Sequence, residues 1–385
     1  MPYRHTARRG RAILLWAAAF FVAVQFGLGL VVDQVWTDVR DPEYAGKLRL
    51  FRELRTRDPD APLIAALGSS RTQLGLQAGR LRPTVDGRRA VVYNFARSAC
   101  GPTLQLLTLR RLLADRARPD RLLVEVMPPF YNRRPGRLLD EKDLDTSLLR
   151  ADELARACRY ARQPAQLAWG WARSRGLTCY NRRVEMARQL FPGQWGPRPE
   201  ADPENGWFAP HTEVTPEQRE RYTAFALDSY RDAAADFRPD PRPVRALHDL
   251  LALCRQNRIP VVLIVPPEGP RFRALYAPAA LPVIRAFLAD LRRESGTTVI
   301  DARDWMAEDD FWDSHHLLPS GARAYTDRLA RELETAWAAR VGPADGLSPV
   351  SFHAIPGVPR RRRPSRRPAP AARREPGRWS PPCRR

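Results

Sequence analysis

Cysteine is scarce in this 385-residue chain, and five residues are too few to build a disulfide scaffold, although Cys158 and Cys179 lie in one middle region where a bridge can form. No internal repeat stands out. Histidine is sparse as well, six in all, and with no cysteine or second histidine cluster beside the His315-His316 pair the expectation is a site without metal or other cofactor. Long uncharged runs are limited to one. The other apolar stretch, LALCRQNRIPVVLIVPP, is broken by Arg255, Arg258 and prolines, so it reads as a helix end followed by a buried strand.

The one long run is AILLWAAAFFVAVQFGLGLVV, residues 12–32, with Gln25 its only strongly polar member. It is long enough to cross a bilayer as a helix. Four arginines precede it within residues 1–11 and Asp33 follows, so the positive-inside rule keeps the N-terminus in the cytoplasm and translocates the main domain. No Ala-x-Ala site closes the run, which favours an uncleaved signal anchor over a cleaved signal peptide. The net charge of +21 is uneven: residues 357–385 carry eleven Arg against one Glu. Residues 342–385 are expected to be a disordered basic tail, since such a composition cannot bury enough apolar surface to order itself. The tail reads first as an appendage without a specific partner; on the translocated side its alternative partners are anionic envelope polymer or lipid headgroups, and that location disfavours nucleic acid.

After a polar connector over 33–60, a rhythm begins. PLIAAL (62–67), AVVYNF (90–95), RLLVEVM (121–127), PVVLIV (260–265) and TTVID (297–301) are short Val, Ile and Leu runs that read as strands buried on both faces. Amphipathic stretches such as TLQLLTLRRLLADRA, VRALHDLLALCRQN and LPVIRAFLADLRRES separate them. Alternation of this kind predicts an α/β domain, residues 61–341, with helices on both faces of a parallel sheet. Residues 133–240 break the rhythm and read as an insertion placed to cover a site, with Trp195 and Trp207 as core anchors.

Open parallel sheets place their sites beyond the carboxyl ends of the strands. The first run ends in ALGSSRTQLGL, where Gly68 allows a sharp turn and Ser70 falls near the start of a helix, a setting that favours developing negative charge. After the fifth run comes FWDSHHLLPSGARAYTDRL (311–329). Of the histidines, only His211, His315 and His316 are placed to reach Ser70. Residues three apart in such a loop can face one another, so Asp313 orients His316 as the base while His315 points elsewhere. Taken singly, these residues have ordinary roles: Ser70 and Asp313 as helix caps, Gly101 as a turn glycine, Arg71 in a structural ion pair. Their conjunction at the ends of the first and last strands points to a triad.

In this order, Gly-x-Ser-Arg, then a glycine after the second strand in NFARSACGPT, then Asp-x-x-His-Leu before the last helix, the chain resembles the SGNH/GDSL hydrolase superfamily over residues 60–132 and 240–340. The resemblance implies a three-layer α/β/α flavodoxin-like fold, with Ser70 as nucleophile, His316 as general base and Asp313 as its partner. It implies an oxyanion hole formed by the backbone N–H groups of Ser70 and Gly101. Two departures stand out. EVMPPFYN replaces the family's Gly-x-Asn-Asp block and leaves Asn132 as the candidate third donor, and Ser69 stands where Asp is common. Both are similar to the membrane-anchored branch that moves acyl groups on cell-envelope polymers. The expected function is thus an anchored serine esterase or O-acyltransferase acting on acyl esters, with envelope polysaccharide among the expected substrates. The alternative is a non-catalytic binding or assembly protein that retains the fold.

Overall fold

Five strands form one parallel sheet: β1 (Leu63–Leu67), β2 (Val91–Asn94), β3 (Arg121–Glu125), β4 (Val261–Val265) and β5 (Thr298–Asp301). Their order across the sheet is β2-β1-β3-β4-β5, with every neighbouring pair parallel. The computed structural model describes residues 3–134, 138–195 and 205–338. The expected basic tail from 342 onward lies outside the described residues.

The continuous apolar runs follow from burial of both sheet faces. Along β1, Leu63, Ala65 and Leu67 enter one core, while Ile64 and Ala66 enter the other; β4 divides in the same way. The first core is closed by α2 (Pro42–Arg57), α4 (Pro102–Ala114), α9 (Pro241–Gln256) and α10 (Ala280–Ser295), which contribute Phe51, Leu109, Leu250 and Ile284 among others. The second is closed chiefly by α11 (Pro319–Ala338), through Tyr325, Leu329, Leu333 and Trp337. Each fully buried Leu or Ile contributes about 1.5–3 kcal/mol of transfer free energy. One expectation needs correction: the stretch 42–57, expected as connector, is part of the domain, because α2 drives Tyr44, Leu48 and Phe51 into the first core.

The inserted segment between β3 and β4 is pinched at its neck. Asn132 bridges Pro239, Arg133 N–H donates to Arg238 O (2.7 Å) and Asp240 N–H donates to Tyr131 O (2.7 Å). Beyond this clasp lie α5 (Pro164–Gly176), α6 (Thr178–Asn181), α7 (Arg183–Leu190) and α8 (Pro216–Ala234). Cys158 and Cys179, for which the sequence leaves pairing open, are both free thiols. The Cys158 thiol faces Pro164 O, whereas Cys179 sits against the N-terminal helix through its backbone N–H.

That N-terminal helix, α1 (Tyr3–Gln34), is long and apolar enough over Arg9–Gln34 to cross a membrane. Most of its apolar side chains are exposed.

Candidate active site

The chain leaving β1 turns at Gly68 into α3 (Ser70–Gly75), with Ser69 as its N-cap. The Ser69 hydroxyl accepts from Arg71 N–H (3.2 Å) and donates to Glu125 Oε1 (2.6 Å), while Glu125 Oε2 accepts from the N–H groups of Ser69 (3.0 Å) and Thr72 (3.2 Å). Glu125 ends β3, so a buried carboxylate from the neighbouring strand caps the turn that carries Ser70. Gly68 makes room for it: a Cβ there would collide with Thr72 and with the Glu125 carboxylate. At the other end of α3, the buried Asn94 amide from the end of β2 donates to the carbonyls of Thr72, Gln73 and Leu76.

The second half of the site is the loop between β5 and α11. Phe311 and Leu317 pair across it, and Trp312 N–H donates to His316 O. At its apex Ser314 adopts φ +67, the left-handed region that side chains rarely occupy. Its hydroxyl accepts from Phe272 N–H (3.0 Å) and its carbonyl from Gly269 N–H (2.8 Å), which hold that conformation. The sharp turn lets Asp313 Oδ1 accept from the N–H groups of both His315 (3.1 Å) and His316 (2.7 Å).

These two halves meet. His316 Nδ1 lies 2.6 Å from Asp313 Oδ2, and His316 Nε2 lies 2.7 Å from Ser70 Oγ. Burial alone would raise the Asp313 carboxyl, but the two imidazoles and the hydrogen bonds from the loop outweigh it and hold the group well below the usual carboxylate range. An ionised Asp313 can only accept, so the proton sits on Nδ1 and Nε2 is free to accept from the serine hydroxyl. His315 does not point elsewhere as expected: its Nδ1 stands 3.3 Å from Asp313 Oδ2 and its ring 3.8 Å from that of His316, while it packs near the rings of Tyr230 (5.2 Å) and Phe272 (5.6 Å). Burial first, then His316 and the Arg71 guanidinium beside it, push its pKa well below the ordinary histidine value, so it stays neutral.

Asp313, His315 and His316 are the group among the described residues with metal-ligand spacing, their donor atoms lying within 4.8 Å of one another. The 2.6 Å between His316 Nδ1 and Asp313 Oδ2 is a hydrogen-bond length. Two ligands on one tetrahedral zinc at about 2.0–2.2 Å each stand roughly 3.3 Å apart. His315 Nδ1 does stand at that distance from Asp313 Oδ2 (3.3 Å), but the shorter His316–Asp313 contact fits a proton relay better than a shared metal.

Of the expected oxyanion donors, Ser70 begins α3, and Gly101 is the N-cap of α4. Among the described residues no hydrogen bond engages either N–H. The two loops run side by side, with Arg97 N–H donating to Gly68 O (3.0 Å). A Cβ on Gly101 would strike Asp140 and Phe130. Asp140 accepts from Thr103 N–H (3.3 Å) and its hydroxyl (2.5 Å), and burial pushes its carboxyl up to about 7. Asn132 does not join this group, which corrects that expectation. Both amide hydrogens are committed to carbonyls, Ala233 O and Asp236 O (2.9 Å each), and its oxygen accepts from Arg238 N–H. It serves as the clasp of the insertion's neck.

Beside His316 opens a cavity of about 700 Å³, walled by α8 of the insertion through Tyr222, Phe225 and Tyr230, and by Trp312 and His211. Trp312 stacks on His316, with ring centroids 5.1 Å apart and planes 11° from parallel. His211 reaches this wall rather than Ser70, packing on Trp312 at 4.6 Å. Trp207 packs against the second core and donates its indole N–H to Leu74 O. Under the site, Arg71 is buried in an ion pair with Glu268 (2.9 Å) and lies 4.3 Å over the Phe272 ring. Glu125 and Glu268 had no assigned role in the sequence. The available signal was a lone acid in an apolar strand, RLLVEVM, and one just after a strand, in IVPPEGP.

A model of an uncharacterised protein family matches residues 236–338, about a quarter of the chain. The match spans α9, β4, α10, β5 and the Asp313–His316 loop and stops short of the Ser70 half. No curated protein matches the chain.

Proposed function

We propose that the chain is an SGNH-type serine hydrolase or O-acyltransferase, anchored in a membrane by α1 with its main domain on the non-cytoplasmic side. The observation that carries the proposal is the continuous relay Ser70–His316–Asp313 at 2.7 and 2.6 Å, assembled from two loops at one end of a parallel sheet. The strand order β2-β1-β3-β4-β5 is the flavodoxin-like doubly wound order, and cores on both faces give the three layers such a fold has. Both features support the superfamily reading.

In this mechanism Ser70 Oγ attacks the carbonyl carbon of an acyl ester as its proton passes to His316 Nε2. The imidazolium is stabilised by Asp313. The tetrahedral oxyanion meets the N–H of Ser70 at the N-terminus of α3 and that of Gly101. Collapse breaks the ester C–O bond, and His316 returns the proton to the departing alkoxide, leaving acyl-Ser70. A second hydroxyl then gives its proton to His316 and attacks the acyl carbon; the bond to Ser70 Oγ breaks, and His316 returns the proton to Ser70. Water makes the reaction hydrolysis; a sugar hydroxyl of an envelope glycan makes it transfer. The aromatic wall suits either an acyl chain or a sugar face. A translocated basic tail would complement an anionic polymer or lipid surface.

The test is labelling of the detergent-solubilised full chain with a fluorophosphonate probe. Wild type is expected to label and Ser70→Ala not to. Equal labelling of the two, or none of a folded wild type, would reject the serine mechanism and favour a binding or assembly role.

A further inference from the structure

We propose that the segment from α5 to Phe191 lies in the interface of the same bilayer that α1 crosses, embedded beside the anchor in the leaflet nearer its C-terminal end. This rests on the reading of α1 as a membrane span. The contacts between the two are specific. Arg175 pairs with Asp33 (2.7 Å), Gly29 packs against the side chains of Arg175 and Thr178, and Gln25 Oε1 accepts from Cys179 N–H (3.0 Å). The chain thus descends along α1 from Asp33 to Gln25.

At 1.5 Å per residue, Gln25 lies about 10 Å inside Val32, the last residue of the uncharged run. A span of about 30 Å needs essentially all of residues 12–32, so α6 is held roughly 10 Å below the surface of the hydrocarbon. Interfacial helices bury their apolar faces to about 5–10 Å. The Gln25 contact also removes the one strongly polar side chain of the run from lipid.

The exposed residues of this segment suit that depth. Beyond α1 and Val35, eight large apolar side chains are exposed among the described residues, and five of them fall between Trp169 and Phe191: Trp169 (70%), Leu177, Tyr180 (63%), Leu190 and Phe191. Trp, Phe and Leu are the residues that interfacial helices bury below the headgroups. Residues 164–195 carry five Arg and one Glu; Arg173 and Arg183 are exposed, a balance that complements anionic headgroups.

The experiment uses the full chain with Cys158, Cys179 and Cys383 changed to Ser. It is reconstituted in phosphatidylcholine–phosphatidylglycerol vesicles containing a lipid with a nitroxide on its fifth acyl carbon. Single cysteines carrying an environment-sensitive fluorophore replace Tyr180, Leu190, Leu30 on α1 or the exposed Val283 on α10. Labels at 180 and 190 are expected to be quenched at least half as strongly as at 30, with 283 unquenched, and quenching at 190 should fall when phosphatidylglycerol is omitted. Labels at 180 and 190 that behave like 283 while 30 is quenched would overturn the interfacial placement. So would labels shielded from lipid but blue-shifted as protein density rises, which would mark a protein contact. An unquenched label at 30 would overturn the span itself, and the placement with it. Quenching at 190 indifferent to phosphatidylglycerol would overturn the preference for anionic lipid.

Discussion

Replacing Asp313 with Asn tests the relay at the bond that gives His316 its direction. The substitution keeps the shape. Its oxygen still accepts the two loop N–H groups that Oδ1 now takes, but an amide NH₂ replaces the oxygen facing His316 Nδ1 at 2.6 Å. The imidazole then places its proton on Nε2, facing Ser70, and can no longer accept from the hydroxyl. The lost stabilisation of the imidazolium follows from Coulomb's law: two unit charges 2.6 Å apart interact by about 6 kcal/mol at an effective dielectric near 20. With Asp313 nearly inaccessible, solvent screening removes little of this. About 6 kcal/mol on the barrier is roughly a 10⁴-fold loss in kcat/KM. The cost to folding is smaller, on the order of 1–3 kcal/mol for a lost charge-assisted hydrogen bond. Its sign with pH is fixed by the depressed carboxyl. The wild-type advantage is complete above the ordinary carboxylate pKa and shrinks as pH falls below about 4. Turnover of a chromogenic acetyl ester, paired with thermal melting across pH, reads both quantities. Activity within tenfold of wild type, or activity lost only in step with the fold, would refute the relay.

Two further predictions concern buried charge. Glu268→Gln leaves the Arg71 guanidinium buried without its counter-ion. It should cost about 3–5 kcal/mol in chemical denaturation, whereas the double change Arg71→Met, Glu268→Gln should recover part of that loss. Asp140, raised by burial to about 7, favours the protonated form in the fold. Its sign is therefore opposite to that of Asp313: stability declines as pH rises from about 4 through 7 and levels off above. Asp140→Asn should remove that decline, a difference of a few kcal/mol by pH 8, measured by denaturation at stepped pH. An unchanged pH slope would refute the assignment.

What could be read from the sequence had a local origin. The five apolar runs became the five strands within a residue or two at each end, because burial on both faces leaves no polar alternation to misread. Asp313 and His316 were legible because their contact closes within four residues. What escaped depends on partners far apart in the chain. Asn132 resembled a donor near the third strand until its amide was seen closing on Ala233 and Asp236, about a hundred residues away. The stretch 42–57 looked polar because only one stripe of α2 faces the core. The aromatic wall of the cavity comes from α8, and its periodicity says only that it is an amphipathic helix.

The placement of Ser70 is likewise a long-range matter. Six residues of helix cannot persist alone, since nucleation costs more than so few hydrogen bonds return. Two buried side chains from adjacent strands hold α3 in place, Glu125 at its first N–H groups and Asn94 at its last carbonyls. This recasts the departure at the third block. Where the superfamily pattern brings an asparagine to the oxyanion, the third strand here ends in an acid on which the Ser69 and Thr72 N–H groups and hydroxyls all converge. Its two oxygens are taken up by these four donors. In the proposed mechanism the oxyanion therefore relies on backbone N–H groups at the starts of α3 and α4, and the third strand acts on catalysis by fixing the height and tilt of the helix that presents the serine.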